Sequence, residues 1–166
     1  MIAHKNYLVD ATALVYKVFG DKRDKSGAAY VSHCLRVHRR LGPDADIETQ
    51  AAAILHDVIE DTNYSRAEIA KLFSERIAYL VTLVSRPSGT TYARFIDRII
   101  ESGEKSAMRI KLADLFDNTS PSRIVLLDES DRGILDRYYP AISKIEEALG
   151  THSIVNGDIH ISTLEA

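Results

Sequence analysis

Two acid-bearing pairs, His56-Asp57 and Glu60-Asp61, stand in the apolar run Ile54-Leu55-His56-Asp57-Val58-Ile59-Glu60-Asp61-Thr62. Charged groups among isoleucine, leucine and valine cost free energy unless something compensates them, and a bound cation does so. The spacing predicts a helix over 47–60. His56 then lies under Glu60 and Asp57 under Asp61, because positions four apart stack on one helix face. Ordinary surface acids on a helix turn are the plainer reading, and the apolar neighbours argue against it.

Two further polar residues share this setting. His33 sits between Val31 and Cys34, and Asp114 lies in Lys111-Leu112-Ala113-Asp114-Leu115-Phe116-Asp117-Asn118. Alone, His33 reads as a satisfied core histidine. Together, His33, His56, Asp57 and Asp114 make a mixed nitrogen and oxygen donor set, which suits Mn²⁺, Fe²⁺ or Zn²⁺ better than Ca²⁺. Such an ion lowers the pKa of water and polarises a phosphoryl group. Glu60 and Asp61 would then orient or deprotonate that water. Cys34 beside His33 has no mark of an activated nucleophile, and the chain has no phosphate-binding glycine loop, dinucleotide fingerprint or zinc-ribbon spacing.

The elements that must position these groups read as helices throughout. Apolar residues recur at helical spacing over 4–19, 28–41, 47–60, 65–73, 75–84, 105–117 and 131–149, with a further helix begun by Thr90 or Thr91 and stopped at Gly103. Asp46 is an N-cap for the third of these, and Ser65 with Glu68 forms a capping box. Ala51, Ala52 and Ala53 let neighbouring helices approach closely, which marks 47–60 as central. Ser120-Pro121-Ser122 reads as a loop, and Pro140 as a kink or the true start of the last helix. The loop Asp21-Lys22-Arg23-Asp24-Lys25-Ser26-Gly27 is either a solvated turn or a phosphate-facing one. Around Asn156-Gly157 the flanking segments carry a hairpin signal, with His152 and His160 as exposed strand residues. Tyr92, Arg94, Phe95 and Arg98 fit either an ordinary amphipathic helix or a substrate-facing one.

A chain of 166 residues, 45% hydrophobic and 27% charged, is expected to form one domain over 1–150 with a tail over 151–166. A net charge of -3 gives no reason to expect nucleic acid as a partner. No run approaches the ~20 apolar residues of a membrane span. Nor does the start resemble a signal peptide, and one cysteine cannot form an internal disulfide. A soluble cytoplasmic protein is expected, with the oligomeric state open.

The quoted segments carry a resemblance. Lys25-Ser26-Gly27-x-x-Tyr30-x-x-His33, then Ala53 to Thr62 with its His-Asp-x-x-Glu-Asp, then Ile110-Lys111-Leu112-Ala113-Asp114 with Asn118 resemble the HD superfamily of metal-dependent phosphohydrolases. More narrowly, they are similar to the hydrolase domain of the Rel/SpoT alarmone enzymes and to the stand-alone small alarmone hydrolases of the Mesh1-like group. The likeness spans residues 4–145.

The resemblance implies an all-α HD-domain helical bundle and removal of the 3′-pyrophosphate of (p)ppGpp, giving GDP or GTP and pyrophosphate. It implies one Mn²⁺ held by His33, His56, Asp57 and Asp114, with Glu60 and Asp61 acting on the attacking water. Lys25 and Ser26 would line the nucleotide site and Asn118 would hold the ribose, with Lys22, Arg23 and Lys25 meeting phosphates. Where long Rel/SpoT enzymes carry an arginine that packs on guanine, this chain has Asp24, and an acid cannot make that planar cation stack. An adenine alarmone, (p)ppApp, is therefore an alternative substrate. Another HD phosphohydrolase such as a 5′-nucleotidase, or a nucleotide-binding module without turnover, are the alternative functions.

Overall fold

The computed structural model describes residues 6–24, 27–127 and 129–151. The chain runs through α1 (Tyr7–Phe19), α2 (Tyr30–Arg40), α3 (Ile47–Ile54), α4 (Val58–Asp61), α5 (Arg66–Leu72), α6 (Glu75–Val84), α7 (Tyr92–Glu101), α8 (Lys105–Asn118), α9 (Pro121–Ile124), a 3₁₀ turn (Glu129–Ile134) and α10 (Leu135–Leu149). The all-α expectation holds: among the described residues the sole extended pairing is one antiparallel bridge between Arg23 and Ala29. The expected hairpin and the histidines 152 and 160 lie outside the described residues. No helix among the described residues is long and apolar enough to cross a membrane.

α3 is the centre of the bundle. Its Ala51, Ala52 and Ala53 are fully buried, and it packs against α1, α2, α6 and α8. The three small side chains at its C-terminal half allow that close approach. α8 is the second hub, touching α2, α3, α6, α7 and α10. Helix starts follow the caps in the sequence. Asp46 Oδ1 accepts the Thr49 N–H (2.8 Å), Ser65 and Glu68 close the capping box, and Thr91 Oγ1 accepts the Arg94 N–H (3.3 Å). Gly150 ends α10 in the left-handed region at φ 68°, which only glycine adopts cheaply.

Three expectations are corrected. The helix expected over 47–60 breaks: α3 ends at Ile54 and α4 begins at Val58. Leu55 (φ -89°, ψ 1°) and Asp57 (φ -95°, ψ -3°) take bridge-region angles. The Val58 N–H bonds the Leu55 carbonyl at 2.8 Å, which tightens the turn. The His56 ring supplies a local partner as well, since Nδ1 donates to the Ala53 carbonyl at 2.9 Å. His56 and Asp57 thus lie in a sharp turn between two helices, while Asp57 still stacks under Asp61: the Asp61 N–H bonds the Asp57 carbonyl at 2.9 Å and the Tyr30 hydroxyl reaches both carboxylates. Second, Ser120-Pro121-Ser122 opens the short α9, with Pro121 in the first helical turn, where its missing N–H costs nothing. Third, α10 continues through Pro140 and starts five residues earlier, at Leu135.

Candidate metal centre and its cleft

α2, the α3–α4 turn and α8 each send side chains to one point. His33 and His56, from α2 and the turn, bring their Nε2 atoms to 3.2 Å. Asp57 Oδ2 lies 2.9 Å from His56 Nε2 and 3.7 Å from His33 Nε2. Asp114 Oδ1, from the middle of α8, lies 3.3 Å and 3.7 Å from the same two nitrogens. Both histidines are 2% exposed. The four sequence-predicted ligands therefore converge, and a donor atom from each of His33, His56 and Asp57 falls within 4.8 Å of the others.

The donor set fits a divalent ion. Ligand atoms about 2.1 Å from one ion lie about 3 Å apart when adjacent, and the separations above match. Each imidazole is also fixed in the tautomer that a metal needs. His33 Nδ1 meets Asp117 Oδ2 at 2.8 Å, and His56 Nδ1 meets the Ala53 carbonyl. Carboxylates and carbonyls only accept, so both Nδ1 atoms donate, which leaves both Nε2 atoms, facing the shared point, as the nitrogens that would ligate an ion. The local electrostatics call for positive charge there. Burial alone would lower the His56 pKa, yet Asp57 and Asp114 push it up to about 9. His33 is likewise raised against its burial, by Asp114 and Asp117. Burial would raise Asp114, but Lys111 and the two histidines hold it well below 3.8.

Outer contacts set the carboxylates. Lys111 Nζ donates to Asp114 Oδ2 and Asn118 Nδ2 to Asp114 Oδ1, each at 2.7 Å. The Tyr30 hydroxyl donates to Asp57 Oδ2 and lies 3.2 Å from Asp61 Oδ2. Lys22 Nζ bonds Asp61 Oδ2 at 2.6 Å and rests 3.9 Å from the Tyr30 ring centroid. Glu60 Oε2 accepts the Arg86 backbone N–H at 2.7 Å. Burial raises the Glu60 carboxyl above its ordinary 4.5.

A cleft of about 180 Å³, open to solvent, leads from this cluster. Glu60 and Asp61 stand at its metal end, and Arg86, Lys111, Arg137, Tyr92, Phe95 and Tyr138 form much of the remainder. The cations pack on the rings: Arg137 lies 5.7 Å from the Tyr92 centroid and Lys111 5.2 Å from that of Phe95.

The structure sorts the remaining sequence candidates. Asn118 lines the cleft while holding Asp114. Arg23 is exposed and not among the cleft-lining residues, and Lys25 and Ser26 lie outside the described residues. In the Arg86–Arg98 segment, Arg94 pairs outward with Glu101 (2.6 Å). Arg98 caps the end of α6 through the Thr82, Leu83 and Ser85 carbonyls. Asp24 is turned inward, its side chain 2% exposed and 3.4 Å from Arg123. Sequence reasoning missed Asp117, Arg36, Arg123 and Arg137. The one available signal was Asp117 lying three residues after Asp114, on nearly the same face of α8.

Stacked helices with two histidines and two aspartates around one point fit an HD domain. A family model described as HD domain matches residues 11–127, and the chain belongs to the HD domain family. It is 31% identical over 144 residues to a guanosine-3′,5′-bis(diphosphate) 3′-pyrophosphohydrolase of Aquifex aeolicus, covering 82% of this chain and 20% of that one. It is 30% identical over 139 residues to the Drosophila melanogaster guanosine-3′,5′-bis(diphosphate) 3′-pyrophosphohydrolase MESH1, covering 80% of this chain and 78% of that one. The chain thus spans about a fifth of the Aquifex relative and most of the Drosophila one. A solved structure, described as a metazoan ortholog of SpoT that hydrolyzes ppGpp and plays a role in starvation responses, shares the fold. Its TM-score is 0.60 at 22% identity, over 90% of this chain and 99% of that one.

Proposed function

We propose that this chain hydrolyses the 3′-pyrophosphate of an alarmone nucleotide, (p)ppGpp or (p)ppApp, using one Mn²⁺. The convergence of His33, His56, Asp57 and Asp114 at the end of a cation-lined cleft carries this reading. The activities of the two relatives support it. A divalent ion held there lowers the pKa of water and withdraws charge from a phosphoryl oxygen.

The remaining chemistry belongs to the chain. Water oxygen bonds to the 3′-phosphorus, the bond from that phosphorus to the ribose 3′-oxygen breaks, and the 3′-oxygen leaves as a hydroxyl by taking up the proton that the water gives to the carboxylates. Glu60 and Asp61 hold the water and take its proton. A carboxylate raised by burial, as Glu60 is, makes a better base near neutral pH. Tyr30 lies between the Asp57 and Asp61 carboxylates, and Lys22 holds Asp61 in place. Arg86, Lys111 and Arg137 supply charge for the phosphates, and Tyr92 and Tyr138 supply flat faces. The catalytic unit is residues 1–150, with 151–166 a tail, and the setting is the cytoplasmic nucleotide pool.

Asp24 bears on the base. It faces Arg123 and not the cleft, so the arginine stack on guanine has no counterpart at that position. Adenine alarmones therefore stand beside guanine ones as substrates. Chromatography of products from ppGpp, pppGpp, ppApp, NADPH and nucleoside monophosphates with Mn²⁺ tests the reading. Pyrophosphate from an alarmone is expected. Orthophosphate from monophosphates alone would assign a 5′-nucleotidase instead.

A further inference from the structure

Behind His33, on the side away from the cleft, lies a second set of charges that the proposed chemistry does not use. Asp117 is fully buried at the end of α8 and accepts from four directions. Arg36 binds it as a fork, Nε to Oδ1 at 2.8 Å and Nη2 to Oδ2 at 3.0 Å. Arg123 Nη1 reaches Oδ2 at 2.9 Å, and His33 Nδ1 reaches the same oxygen at 2.8 Å. Arg40 Nε lies 3.5 Å from Oδ1 as well, so three arginines face this one aspartate, and Asp24 meets part of the positive charge left over. Asp24 Oδ2 lies 3.4 Å from Arg123 Nη1 and 4.0 Å from Arg36 Nη2.

Asp24 is also the anchor of the loop that leads into α2. Its Oδ1 accepts the Ala28 N–H at 3.0 Å, its backbone N–H bonds the Ala28 carbonyl at 2.9 Å, and its carbonyl accepts the Gly27 N–H at 2.9 Å. Gly27 takes φ 81°, the left-handed angle that this tight closure needs.

We propose that Asp24, Arg36, Arg123 and Asp117 form a paired-charge frame that fixes the His33 ring and ties the Asp24–Ala28 pairing to the metal site, so that the strength of that pairing and metal affinity are coupled. This rests on the reading of His33 as a metal ligand. The four residues are positioning residues, since none of them touches the donor point. A carboxylate behind a ligating histidine sets the ring's tautomer and angle, and losing such a partner costs about 10–100-fold in metal affinity. Asp117 does this directly. Asp24 does it through Arg123, which serves both acids from one atom, Nη1.

The test is Mn²⁺ affinity, by competition with a chelating dye, in folded protein checked by circular dichroism and thermal melting. Asp117→Asn and Arg123→Gln should each weaken Mn²⁺ by about 10–100-fold, and Asp24→Asn by about tenfold. Asp24→Asn combined with Arg123→Gln should lose little more than Arg123→Gln alone, because the two share one path. Arg123→Lys should recover much of the affinity, since one ammonium can sit between both acids. Amide exchange at Ala28 should slow when Mn²⁺ binds the wild type and not when it binds Arg123→Gln.

Wild-type Mn²⁺ affinity in folded Asp24→Asn and Arg123→Gln, whatever their melting temperatures, would overturn the inference. Should Asp24→Asn not fold, Arg123→Gln decides alone. His56→Ala separates the two readings in the same assay. If it loses Mn²⁺ while the frame variants keep it, the metal site stands and the frame falls. If the wild type binds no Mn²⁺, the metal reading falls and the frame with it.

Discussion

His33 and His56 bring their Nε2 atoms within 3.2 Å of each other although they are 23 residues apart. Each ring turns its other nitrogen away, to Asp117 and to the Ala53 carbonyl. Two ring nitrogens and two carboxylate oxygens crowded at one buried point call for a shared positive charge. Replacing either ring should remove the ion and the activity together. His33→Ala and His56→Ala purified with Mn²⁺ are expected to hold less than a tenth of the wild-type metal by elemental analysis, with turnover lost in proportion. Full turnover in either variant would contradict the assignment of ligands.

Glu60 stands apart from the donor point, its carboxylate bonded to the Arg86 backbone. Glu60→Gln keeps the size and the hydrogen-bond acceptor and removes the base. Metal content should stay at the wild-type level while kcat falls by about 10²–10⁴-fold, the usual worth of a general base. Loss of metal in this variant would move Glu60 from the water to the ion.

Tyr30 places one hydroxyl between Asp57 and Asp61. Burial, and then Asp57, push that hydroxyl far above its ordinary pKa of 10.0, so it remains a donor at every working pH. Tyr30→Phe leaves two acids facing each other with no donor between them. Hydrogen bonds to charged groups contribute about 1.5–3 kcal/mol. A thermal or denaturant melt of this variant should show a loss of that order, with kcat reduced and the substrate KM little changed. An unchanged kcat would show that Asp61 needs no fixing by Tyr30.

Asp46 gives a pH-dependent prediction away from the site. Burial would raise its carboxyl, but the hydrogen bonds from Thr49 outweigh it and hold the pKa below 3.8. A depressed carboxyl contributes stability that is fully present above its unfolded value and is lost as pH falls through the lower folded value. Asp46→Ala should cost about 0.5–2 kcal/mol at pH 7, the worth of an N-cap. The gap from wild type should narrow as the pH falls below 3.8. Urea melts at pH 7 and pH 3 measure it, and a gap that widened in acid would contradict the cap assignment.

Much of the site could be read from sequence, because each ligand sits in a local apolar pattern that marks it as buried. His33, His56, Asp57 and Asp114 all reach the same point. The helices with clear caps, such as those opened by Asp46, Ser65 and Thr91, start where those residues predict. The break after Ile54 could not be read, since its residues have unbroken helical spacing and only the His56 ring bond to Ala53 and the tightened turn reveal it. Asp117 was missed for a different reason. Its partners His33 and Arg36 are 84 and 81 residues away, and contacts of that range leave no periodic trace in the chain. The same holds for Asp24, whose meaning changed from a base-facing substitution to a buried partner of Arg123.

The central claim is that one ion at the His33–His56–Asp57–Asp114 point drives release of pyrophosphate from an alarmone. Titrating Mn²⁺ into chelator-stripped protein with ppGpp and ppApp, and quantifying pyrophosphate, tests it most directly. The account predicts no release from stripped protein. It predicts release that rises to saturation with one tightly bound Mn²⁺ per chain, and none from His56→Ala. Pyrophosphate from stripped protein, or none from either alarmone at any Mn²⁺ concentration, would contradict it.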